Sequence, residues 1–133
     1  MNDFKKREHL IRADLARLKE ARDWADLAAA EFGFDSKARY QLKLAMSEAV
    51  TNAIQHGSAS PEDRISLAAM VEEGALAFYV KDTGTFVARE APTEDLPERG
   101  RGLDFMRRLM DEVELRPGDD GTLLRFCKRL GES

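Results

Sequence analysis

The sequence predicts an α/β fold of the α+β kind, a two-layer sandwich with helices covering one face of a mixed, mostly antiparallel sheet. Three observations carry that reading. Apolar residues recur at helical spacing from Leu15 to His56; β-prone stretches follow from Arg64; one further helical stretch is inserted among the strands after Gly102.

Taken in order, residues 1–7 are polar and expected to fray, and the short apolar patch Leu10–Ile11 within 9–13 suits an edge strand or an early helix start. From Leu15 to Phe32 the positions Leu18, Ala21, Ala25, Ala28 and Phe32 step by three and four, as on an amphipathic helix. Asp14 can cap its start and Gly33 can end it. Trp24 on this helix suits the core or a docking surface. Asp35 or Ser36 then caps a second helix that runs to His56 and stops at Gly57, before the turn GSASPED. Arg64–Val71 and Ala75–Lys81 are β-prone and separated by Glu72-Glu73-Gly74, a gap of hairpin length containing a glycine. Residues 85–99 lose all periodicity and hold Pro92 and Pro97; a loop this long in a compact domain suits a lid. A helix is expected after Gly102, through Leu103, Met106, Leu109 and Met110, then a strand at Val113–Leu115. The turn Pro-Gly-Asp-Asp-Gly leads to a last strand, Thr122–Arg129.

Length and composition bound the function. The 133 residues fit a single domain, 1–133, long enough to bury about two-thirds of its unfolded surface without disulfides. A net charge of −4 argues against a nucleic-acid backbone as the direct partner. The opening MNDFKKREHL has charge but no apolar stretch behind it, unlike a secretory signal, and no apolar run nears the roughly 18 residues of a membrane span. The single cysteine, Cys127, lies in an apolar run and suits the core. A cytoplasmic protein without membrane attachment is expected.

The second helix holds the most informative pattern. In LKLAMSEAVTNAIQHG, Glu48, Asn52 and His56 lie four residues apart and stack along one stripe, beside alanines 45, 49 and 53 that would let a ligand approach the backbone. Mg²⁺ takes oxygen ligands and usually keeps several waters, so the Asn52 amide oxygen could anchor a metal–phosphate group. Glu48, one turn away, is spaced to act as a general base, and His56 could touch phosphate or cap the helix. A plain polar helix face is the alternative. Asp82-Thr-Gly84 closes a strand, where a carboxylate can accept from an exocyclic amine and the glycine can lie against a base; a simple strand-ending turn reads the same. Gly100-Arg101-Gly102-Leu103, flanked by Arg99, offers backbone freedom, N–H groups at a helix start and positive charge for phosphate, or else a hinge with a cap. Gly121-Thr122 opens the last strand, and its hydroxyl gains interest only from the other three motifs.

In this order, Glu48-x3-Asn52-x3-His56, Asp82-x-Gly84, Gly100-x-Gly102 and Gly121-Thr122 resemble the four boxes of the Bergerat ATP-binding fold, the superfamily of gyrase, Hsp90, MutL and histidine kinases. Within it, SEAVTNAIQHG and ERGRGLDFMRRLMDEVE look like the serine-protein kinase anti-sigma factors of bacterial partner-switching systems, over roughly residues 15–130. The resemblance implies ATP and Mg²⁺ held between helices and sheet, with 85–99 as the lid. It implies Asn52 as the Mg²⁺ ligand and Glu48 as the catalytic base. Asp82 would bind the adenine amine beside Gly84, Gly100 to Leu103 would hold phosphates, and Thr122 would support the adenine end. It further implies a homodimer, a sigma factor as partner, and an STAS-domain anti-anti-sigma protein as substrate. Many members carry a second glycine where this chain has Phe86, which bears on lid closure. A nucleotide-binding module without transfer, a detached histidine-kinase module and a positive-regulator kinase of a stress-sensing complex are the alternatives.

Overall fold

The computed structural model describes residues 5–57, 62–82, 97–118 and 121–130. The chain runs β1 (Arg7–Arg12), one 3-10 turn (Leu15–Arg17), α1 (Leu18–Phe32), α2 (Ser36–Gly57), β2 (Arg64–Glu72), β3 (Ala75–Asp82), α3 (Pro97–Leu109), β4 (Glu112–Gly118) and β5 (Gly121–Arg129). One sheet has the strand order β1-β2-β3-β5-β4.

All four pairings are antiparallel, so the parallel component of the expected mixed sheet is absent among the described residues. The connections explain this. Between β1 and β2 the chain passes two helices, which return it to the end it left, so β2 runs back against β1. Between β3 and β4 it passes one helix, which would make those strands parallel neighbours, but β5 sits between them. The apolar patch near the start is a strand, and it begins at Arg7, inside the segment expected to fray. Arg7 is tied to the Glu31 carboxylate on α1.

Local chemistry sets the helix ends. The Asp14 carboxylate accepts from the Ala16 N–H at 3.0 Å at the start of the 3-10 turn. Gly33 adopts φ 111°, a left-handed cap that glycine enters without a Cβ clash, and its N–H donates to the carbonyls of Ala29 and Ala30. Asp35 caps α2, its carboxylate accepting from the Ala38 N–H at 2.9 Å.

The third helix departs from expectation. It begins at Pro97, not after Gly102, so Arg99, Gly100, Arg101 and Gly102 lie in its first turns and not in a glycine loop ahead of it. Proline is favoured in a first turn, where its missing N–H costs nothing. Gly102 is where α3 meets α2: a Cβ there would stand 2.9 Å from Glu48 Oε1. Of the expected lid, Pro97–Arg99 therefore belongs to α3, and 85–96, with Phe86, lie outside the described residues.

Helices and sheet enclose one main core. Phe78, Phe126, Leu42, Met46, Ile65, Leu67, Leu76 and Met106 are all fully buried in it. Phe78 and Phe126 stack with ring centres 5.4 Å apart, and Trp24 meets Phe78 edge-on at 5.9 Å while stacking on His9. Trp24 is thus a half-buried wall of the core. Alanines 21, 25, 28 and 29 are buried on α1 and let that helix come close to its neighbours.

Candidate functional site

The cleft lies where α2 crosses the ends of β3 and β5. Ala49, Asn52 and Ala53 from α2 form one wall; Val80 and Asp82 from β3, Thr122 and Leu124 from β5 and Leu115 from β4 form the other. The slot is narrow, with a cavity volume of about 10 Å³. Strand alternation explains the second wall: Val80 and Asp82 share the helix-facing side of β3, and the register sets Val80 beside Leu124. The result is an apolar slot with an amide at one side and a carboxylate at the other.

Asp82 is the one buried charged side chain among the described residues, 1% exposed. A buried carboxylate is costly unless it is hydrogen-bonded. Its Oδ1 accepts from the Thr122 N–H, a long contact at 3.4 Å. Gly121 makes that approach possible. At φ 121°, a Cβ there would stand 2.4 Å from the Asp82 carbonyl oxygen and 2.6 Å from Oδ1. Glycine is thus required at 121 by backbone geometry and by space together.

The structure brings Asn52, Asp82 and Thr122 to this one cleft. Glu48 is one turn from Asn52 on α2 but does not line the slot; it is half-buried and faces the first turns of α3 at Gly102. Leu103 packs against the main core, and with α3 starting at Pro97 the N–H groups of Arg101 to Leu103 lie past the four that a helix start leaves unpaired. Of His56, Arg99, Gly100 and Arg101 the backbone alone is described: His56 in the last turn of α2, the others at the start of α3. Gly84 lies outside the described residues. Of the three alanines beside the stripe, 49 and 53 line the cleft and Ala45 is core. Val80, Leu115 and Leu124 were not anticipated as lining residues. Their alternation marks them as helix-facing, but no motif separates a core leucine from a cleft leucine.

These residues suit a flat, nitrogen-bearing ring: apolar side chains for its faces, and a buried acceptor for an amino group at its edge. Asn52 lies one helical turn from Glu48, so a hard cation bound there would find an amide oxygen and a carboxylate on the same stripe of α2. Among the described residues no cluster of three or more His, Cys, Asp or Glu could hold a metal, so any ion here would depend on Asn52 and on oxygens brought by the ligand.

Similarity to known proteins agrees with this geometry. A family described as the histidine kinase-like ATPase domain matches residues 11–128. The anti-sigma F factor of Bacillus cytotoxicus is 33% identical over 103 residues, covering 70% of this chain and 70% of that protein. The anti-sigma F factor of Geobacillus kaustophilus is 32% identical over the same length, with the same coverage. Among solved structures, the RsbU and RsbW domains of a Mycobacterium tuberculosis protein superpose with a TM-score of 0.75 at 23% identity, over 97% of this chain and 33% of that one. A histidine kinase domain from the blue-light activated kinase of Erythrobacter litoralis gives 0.57 at 23% identity, over 90% of this chain and 62% of that one. The chain spans a third of the mycobacterial chain, and both structures speak for the fold. The chain belongs to the histidine kinase-like ATPase domain family and is a relative of the anti-sigma F factors.

Proposed function

We propose that this chain is an ATP-dependent, Mg²⁺-requiring serine-protein kinase that serves as an anti-sigma factor in a cytoplasmic partner switch. In this reading it holds a sigma factor and phosphorylates a serine on an STAS-type antagonist. The observation that carries it is the pairing of Asn52, on the same cleft wall as Ala49 and opposite Asp82, with Glu48 one helical turn away.

Each residue has a task in that reaction. Asp82 accepts a hydrogen bond from the adenine amino group, with Thr122 beside it. Asn52 would offer its amide oxygen to Mg²⁺, and the N–H groups and arginines at the start of α3 would meet phosphate oxygens. Bound Mg–ATP supplies the phosphoryl group and spreads its charge. Glu48 accepts the proton of the attacking serine hydroxyl, the work of a positioned base in phosphoryl transfer. The added phosphate would loosen the antagonist's grip by placing negative charge in a surface built without it.

The test is transfer itself. With labelled ATP, Mg²⁺ and its cognate STAS-type antagonist, the wild type should yield phosphoserine. Glu48→Ala should lower the rate by about 10²–10⁴-fold while nucleotide binding persists. Full activity in Glu48→Ala would remove the base from the mechanism. Tight binding without any transfer by the wild type would select a nucleotide-gated binding module in its place.

A further inference from the structure

A second cavity lies at the far end of α2 from the cleft. Its volume is about 730 Å³, within the roughly 300–1,000 Å³ of ligand sites. Two elements run between the sites: α2 gives Lys37 to this groove and Asn52 to the cleft, and β5 gives Lys128 and Thr122. From Lys37 to Asn52 the helix rises about 22 Å, so each site can be filled while the other is occupied.

The groove has an apolar part and a charged part. Phe34 from the link between α1 and α2, Ala38 from the first turn of α2 and Leu130 just past β5 supply the apolar surface, Leu130 being 42% exposed. Five charged side chains line the rest, and they divide by what they bind. Both carboxylates are engaged by backbone: Asp35 Oδ1 accepts from the Ala38 N–H at 2.9 Å, and Asp111 Oδ2 from the Arg129 N–H at 2.6 Å. The cations Lys37, Lys128 and Arg129 pair with no carboxylate among the described residues. Lys128 Nζ donates to the Leu109 carbonyl and Arg129 Nη1 to that of Glu73, contacts that leave their charge uncancelled. Elsewhere such charges are matched, as Lys19 is by Asp23 and Arg39 by Asp26. Here three unmatched cations converge on one cavity.

We propose that this groove docks an acidic segment of a partner protein. Its carboxylates bind Lys37, Lys128 and Arg129, and an apolar side chain between them lies on Phe34, Ala38 and Leu130. Charge complementarity selects this occupant. A chain of net charge −4 repels acidic polypeptides over most of its surface, so a local cluster of uncancelled cations is what admits one. A basic segment would meet three like charges and two carboxylates already taken by N–H groups. The half-exposed Gln41 amide, also in the groove, can pair with the segment's backbone.

Fluorescence anisotropy of the full chain with a labelled decapeptide alternating Glu and Leu tests the proposal. The acidic peptide should bind, more weakly as salt rises, and undiminished when an ATP analogue and Mg²⁺ fill the cleft. A peptide alternating Lys and Leu should not bind. In the double variant Lys37→Glu/Arg129→Glu, at two exposed positions, affinity should fall by about tenfold or more, with nucleotide binding and a thermal melt showing an intact fold. Lys37→Glu alone, in a first helical turn that favours an acid, keeps the test open if the pair unfolds. No binding by the wild type would overturn the proposal. So would equal affinity in the charge-reversed variants, displacement by the nucleotide, or equal capture of the Lys and Leu peptide. None of these outcomes touches the kinase reading, which stands on the cleft.

Discussion

At position 121 the absence of a side chain does more for the cleft than most side chains around it. The residue combines a left-handed φ of 121° with backbone so close to Asp82 that a methyl group has no room. Gly121→Ala should destabilise the fold by about 1–3 kcal/mol, the usual cost of a forced backbone. Since the strain falls beside the Asp82 carboxylate, it should weaken nucleotide binding as well. A urea titration and a nucleotide titration of the one variant check both, and an unperturbed protein would show that the approach of β5 to Asp82 is looser than described. Residue chemistry was partly legible beforehand. Asp82, Asn52 and Thr122 could be named because polar groups at a strand end, on a helix stripe and at a strand start are visible in sequence. Glu48 could be named too, but not its packing against Gly102, because closeness between two helices distant in sequence leaves no local mark.

Elements follow from patterns that are local, and fail where a local pattern has two readings. Helical steps and a turn of hairpin length fix α2 and the β2–β3 hairpin to within a residue or so, while α1 begins at Leu18, three residues after the expected Leu15, because Leu15–Arg17 form a 3-10 turn capped by Asp14. The start of α3 was misplaced because two glycines and a proline read as loop, whereas contact between Gly102 and α2 rewards a helix through them. At 9–13 the sequence suits a strand or a helix start equally, since so few residues show either period, and pairing with β2 decides it. Across β2, β3 and β5, the Glu72 carboxylate accepts hydrogen bonds from Tyr79 Oη and from Arg125 Nη2, the latter at 2.7 Å. Burial pushes its pKa up, but the hydrogen bonds from Tyr79 and Arg125 outweigh that and hold it below the usual carboxylate value. With the folded pKa depressed, this group stabilises the fold above the unfolded carboxylate pKa and loses that contribution as pH falls through the acid range. Glu72→Gln should therefore cost about 1–3 kcal/mol at neutral pH and flatten the decline of stability on acidification. Urea midpoints from neutral pH downward measure this; parallel curves for wild type and variant would assign the acid limb to other carboxylates.

For the whole molecule, the architecture was legible from the order of elements, and the all-antiparallel sheet from nothing local. It arises because two helices bridge β1 to β2 and because β5 enters between β3 and β4, choices made by the packed core and not by any one segment. The same topology brings residues 52, 82 and 122 to one slot from three elements. The slot is the centre of the account, and one titration tests it most directly. Calorimetry of the wild type and of Asp82→Asn with a non-hydrolysable ATP analogue and Mg²⁺ should give one nucleotide per wild-type chain, with the variant weaker by about 1–3 kcal/mol. No binding by the wild type, or equal affinity in Asp82→Asn, would contradict it.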